Sequence, residues 1–112
     1  MAATYEDAAL IMQLVRWGTE MNLDEAGRAI FADDFDAELA STDDPSVSCV
    51  LAFGETLSTL VKHQILDKDL ALDLWSVHGT WARVGPAAQR ARQRHGEPRL
   101  YENYEALALS TR

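Results

Sequence analysis

The chain has a single cysteine in 112 residues, which excludes an intramolecular disulfide framework. Cys49, set among Val47, Val50 and Leu51, reads as a small buried hydrophobe. Long apolar runs are also missing. A stretch such as Ala8 to Met12 falls far short of the roughly 20 residues that a bilayer span needs. Residues 1 to 10 carry Glu6 and Asp7 and lack both a basic start and an apolar core, so no secretory signal is expected there. Basic charge is scarce: 18 Asp and Glu face 10 Lys and Arg, for a net charge of -8. Such a field repels polyphosphates and anionic lipid, so neither nucleic acid nor membrane is an expected partner. A soluble, cytoplasmic protein is the expectation.

The acidic excess is unevenly placed. Residues 1 to 73 hold 15 acidic and 4 basic side chains, and residues 74 to 112 hold 3 Glu and 6 Arg. The first part is therefore at -11 and the second at +3, which sum to the total of -8. This split predicts that an Arg-rich segment meets an acidic surface, within the chain or on a second copy. Arg90 and Arg94 are the candidate interface residues.

No run of alternating β-branched residues, no Asn-Gly or Asp-Gly hairpin signal, no low-complexity tract and no internal repeat is present, which removes sheets and solenoids. What is there is helical. Thr4 and Asp7 resemble a capping box opening a helix from about Tyr5 to Trp17 or beyond. Asp24 and Glu25 start a second, whose stripe of Ile30, Phe31, Phe35 and Leu39 predicts either a break at Asp33 and Asp34 or a helix running on to Leu39. A loop over Ser41 to Asp44 leads to Pro45 at the first position of a third helix, with Gly54 on its apolar face where another helix can approach closely. Asp67 caps a fourth, whose Leu70, Leu74, Val77, Trp81 and Val84 keep helical spacing until Pro86 predicts a kink or restart near Arg83 to Gly85. Ala87 to Arg94 is then helical and stops at Gly96. A short last helix holds Tyr101, Tyr104, Leu107 and Ala108. The fold class is all-α: one domain, a compact bundle of five to six helices.

Chemistry is sparse. Asp33, Asp34, Asp36 and Glu38 are hard-cation ligands in kind, but they lack the glycine turn and spaced array of an EF-hand, and a solvated surface is the plainer reading. His63, His78 and His95 are never three or four apart on one helix, and no Glu-x-x-His occurs. There is no Gly-x-Ser-x-Gly elbow and no phosphate loop. No enzyme, metal or cofactor is expected. The aromatics are richer: Trp75, Trp81, Tyr101 and Tyr104 gather in the Arg-rich half, a combination typical of interface anchors or of packed core.

The run from Phe53 to Asp67, with Glu55 and Leu60-Val-Lys62 inside it, is followed by Trp75, Trp81, Pro86, Arg92 and the segment Pro98 to Ala108. Over residues 53 to 108 this pattern resembles a bacterial domain-of-unknown-function family of small helical proteins. The resemblance implies an all-helical fold and brings no established activity; many relatives carry membrane-spanning segments ahead of the domain. On physical grounds Glu55, Asp67, Arg92, Asn103 and Glu105 are expected to pin helices together, with Arg92 paired to Glu55 or Glu105.

Two functions are expected from these features. One is a non-enzymatic module that binds protein, as a homodimer or as an adaptor. The other is a small-ligand sensor with a pocket near Trp75, His78, Trp81 and Tyr101.

Overall fold

The computed structural model describes residues 2–110. Six helices follow one another: α1 (Tyr5–Glu20), α2 (Leu23–Ile30), α3 (Pro45–Lys62), α4 (Lys68–Leu74), α5 (Val77–His95) and α6 (Glu102–Leu109). No strand occurs among the described residues. The all-α reading holds, as do most helix starts. The Thr4 hydroxyl accepts from the Asp7 amide at 3.2 Å while the Asp7 carboxylate accepts from the Thr4 amide at 2.8 Å, the reciprocal capping box. Asp44 accepts from Ser46 ahead of α3, and Asp67 from Leu70 ahead of α4, each satisfying an amide that the helix itself cannot. Gly96, at φ 63°, ends α5 in the left-handed conformation that costs a glycine nothing.

Three boundaries differ from expectation. The second helix stops at Ile30, before Asp33, and residues 31 to 44 form a chain of turns. The side chains of Asp36 and Ser41 accept from the amides of Glu38 and Asp43, so short polar residues give the backbone partners that compete with a helix. The expected continuity from Asp67 to Val84 is broken at Trp75, whose extended backbone (φ -128°, ψ 137°) lays its indole 5.4 Å from the Phe53 ring. Conversely, α5 runs unbroken through Pro86. The residue ahead of it is Gly85, with no Cβ to meet the proline ring, and the intrahelical bond that Pro86 gives up leads back to the exposed Ala82.

The long α3 is the hub, packed against α2, α4, α5 and α6. Its buried face runs Val47, Val50, Leu51, Phe53, Gly54, Leu57 and Ser58, the period of one helical side. Gly54 permits the closest approach in the molecule's centre: a methyl there would fall inside the ring of Tyr104. Tyr104 is 1% exposed and packs edge-on against Trp81, ring centroids 5.0 Å apart. On the far side, Trp17, Phe53 and Trp75 form a continuous aromatic row that joins α1, α3 and the end of α4.

Candidate functional site

Two polar seams flank α5. On one, Arg83 donates to the carbonyl of Ile30 at 2.7 Å and of Phe35 at 3.4 Å, and its guanidinium lies over the Phe31 and Phe35 rings. Arg90 donates to the carbonyls of Ala37, at 3.1 Å, and Ala40, and Arg94 to the Thr42 hydroxyl at 2.9 Å. The arginines therefore meet the acidic stretch within the chain, through its backbone rather than its carboxylates. The half-buried Arg90 is engaged internally, and the exposed Arg94 sits at the edge of the same seam.

The opposite seam seats α6. Glu55 on α3 accepts from the Tyr104 amide at 2.9 Å, supplying from another helix the cap that Tyr101, left-handed at φ 61°, does not give. Asn103 donates to Thr59 at 2.9 Å. Arg92 donates to Glu105 at 2.9 Å and to the Leu100 carbonyl at 2.7 Å, its guanidinium 6.0 Å from the Trp81 ring. Arg92 thus pairs with Glu105 and not Glu55.

Where α2, α3, α6 and the α4–α5 junction meet, they leave a cleft of about 290 Å³. Leu23, Asp24 and Gly27 line it from α2, and Val50, Phe53, Gly54 and Leu57 from α3. Leu74, Trp75, Ser76, Val77 and Thr80 close the junction side, and Tyr104 comes from α6. At its polar end Thr80 and Tyr104 are joined hydroxyl to hydroxyl. Burial pushes the Tyr104 phenol up to about 12, so it stays protonated and neutral.

The four residues expected to form a pocket separate in the structure. Trp75 lines the cleft, and with His78 it also borders a shallower trench on the outer side of the junction. The Nδ1 of His78 lies 3.0 Å from the Ala108 carbonyl, so the ring donates to the last turn of α6. Trp81 is core, behind Tyr104, and Tyr101 stands at the start of α6. Asp24, Gly27 and Thr80 are among the cleft residues that sequence reading does not single out as a site, and Tyr104 is read there as an interface anchor or core and not as a pocket wall. Their local signals, a helix start, a helical glycine, a mid-helix Thr and a core aromatic, are those of structure.

Among the described residues no three His, Cys, Asp or Glu side chains converge as a metal site, and no helix is long and apolar enough to cross a membrane. Comparison with curated proteins and with solved structures returns no match. The family model of a domain of unknown function, DUF4760, matches residues 6–111, which extends the likeness from the C-terminal half back to the first turn of α1. The chain belongs to the DUF4760 family.

Proposed function

We propose that this is a non-enzymatic binding domain whose working feature is the cleft between α2, α3, the α4–α5 junction and α6. The observation that carries the reading is an apolar hollow with a few polar groups at its rim and floor, the usual make-up of a small-ligand site. Its volume of about 290 Å³ is roughly twice the ~150 Å³ of a cavity that takes up benzene. Gly27 gives a clean test. It lines the cleft, and a Cβ built there meets nothing within 4 Å, so a side chain can grow into the hollow. Gly27→Leu also removes a helix-interior glycine, which favours α2 by about 0.5–1 kcal/mol. Small aromatic probes are expected to raise the melting temperature and change tryptophan emission in the wild-type chain, and to do neither in Gly27→Leu. Equal responses in both chains, or none in either, would count against the cleft.

A second reading, self-association, rests on the outward face of α1. Tyr5 is 96% exposed and Met12 66%, and Val15 continues the same face with Ala8 between them. An antiparallel copy of α1 centred on Met12 would set the small Ala8 and Ala9 against Arg16 and Val15, which makes the face self-complementary. Arg90 is engaged with the 31 to 44 segment and Arg94 touches it at Thr42, so the apolar face of α1 carries this reading in their place. Light scattering is the test: a dimer that Met12→Glu converts to monomer supports this reading, and a monomer at all concentrations ends it.

A further inference from the structure

The polar groups of the cleft give its ligand a charge, an inference that rests on the cleft reading above. The first group is Asp24, in the opening turn of α2. Among the described residues the ion pairs are Arg92–Glu105 and Arg99–Glu102, so the Asp24 carboxylate has no cation of its own. The described lining contains no Lys, Arg or His. The second group is the Thr80–Tyr104 pair. Thr80 has one hydroxyl proton, and its oxygen lies 2.9 Å from the Ser76 carbonyl that accepts it. Tyr104 therefore donates to Thr80, and its own oxygen keeps its lone pairs for a donor.

The cleft thus offers acceptors and a negative charge, beside the rings of Phe53 and Trp75. A carboxylate or phosphate entering it would meet Asp24 with no counter-cation to hold it. An ammonium would meet a carboxylate and aromatic faces, both of which attract it.

We propose that the cleft binds a small aromatic or alicyclic amine, with its apolar body against Phe53 and Trp75 and its ammonium group at Asp24. Three probes of one shape test this by calorimetry: phenethylamine, the neutral 2-phenylethanol and the anionic 3-phenylpropanoate. The amine is expected to bind about tenfold more tightly than the alcohol, roughly what a cation–π contact and an exposed ion pair together supply. The acid is expected to bind more weakly than either. Asp24 is exposed, so Asp24→Asn should lower the melting temperature only slightly, by the loss of one acidic group from the first turn of α2, while cutting the amine's advantage over the alcohol to about threefold, the share left to the rings. If the acid matches the amine, or Asp24→Asn leaves the amine's advantage intact, the charge assignment is overturned while the cleft stands. If none of the three binds, the cleft reading itself is overturned.

Discussion

The two seams beside α5 hold their partners with different groups. Toward residues 31 to 44, arginines reach across, mostly to main-chain carbonyls; toward α6, the carboxylate of Glu55 accepts from a main-chain amide, while Arg92 binds the Glu105 carboxylate as well as the Leu100 carbonyl. The difference follows from what each partner leaves unsatisfied. A chain of turns has carbonyls without the ladder of a helix, and only donors can pair them; a helix start has amides without acceptors. The forked guanidinium reaches two carbonyls at once, as Arg83 does with Ile30 and Phe35 through different nitrogens, while Arg90 reaches Ala37 and Ala40 from a single one. The charge split along the sequence is thus less a matter of opposite charges meeting than of donors being supplied to irregular backbone.

The largest effect is expected on the α6 side. The side chains of Arg92 and Glu105 are 15% and 27% exposed, so the pair is largely withdrawn from water. Arg92→Ala removes that pair, a charged donor from the Leu100 carbonyl and the packing on Trp81, and leaves Glu105 alone. A loss of about 3 kcal/mol is expected in urea denaturation. Unfolding at the wild-type urea concentration would show that α6 is held without Arg92, by its apolar contacts and the Glu55 and Asn103 bonds.

A smaller and more local effect is expected on the other side. Arg90→Ala should cost about 1–2 kcal/mol, because the segment it holds is half open to water and its carbonyls can be rehydrated. Hydrogen exchange separates the two seams. The amides of Leu39 and Ala40, which bond back to Asp36, should exchange about tenfold faster in the variant, with those of α6 unmoved. Equal acceleration in α6 would mean that the two seams open as one unit.

How much of this is legible in the sequence depends on how local each cause is. Thr4, Asp44, Asp67 and Gly96 act on residues within a turn of themselves, and all four helix boundaries they mark are where the residues say. The break at Trp75 brings its indole onto Phe53, 22 positions earlier, and Pro86 follows a glycine that has no Cβ to meet its ring; periodicity sees neither. Gly54 can be read as a point of close approach, but the identity of the ring that fills it cannot. The cleft is less legible still. Its acceptors come from α2, α5 and α6, so Asp24, Thr80 and Tyr104 become a set only once the helices are docked. The arginines mislead in an instructive way: their position announces a contact, while their true partners, backbone carbonyls, have no residue type to be read.

The comparison can be sharpened by acid, because a carboxylate seam titrates and a guanidinium seam does not. Asp7 is the clearest carboxylate of this kind: 7% exposed, it accepts from the Asp67 amide at 2.9 Å as well as from Thr4, and so ties the start of α1 to the start of α4. The Asp67 amide first, then that of Thr4, holds its carboxyl below the ordinary aspartate value. An unfolded chain consequently takes up this proton at higher pH than the folded one. The contribution of Asp7 is complete above the ordinary aspartate value and drains away as pH falls through the lowered folded value. Below about pH 4, exchange at the Asp67 amide should accelerate while the amides of Leu39 and Ala40, held through Arg90, keep their protection once the intrinsic pH dependence of exchange is removed. Asp7→Asn should flatten the acid limb of the stability profile and leave the neutral limb lower, since the Thr4 and Asp67 amides use different carboxylate oxygens and asparagine keeps only one acceptor. This is the smallest of the three effects, confined to one corner of the bundle. It is also the one that separates carboxylate from guanidinium anchoring by chemistry and not by size: an acid limb unchanged in Asp7→Asn would mean that the α1–α4 corner rests on shape, not on its carboxylate.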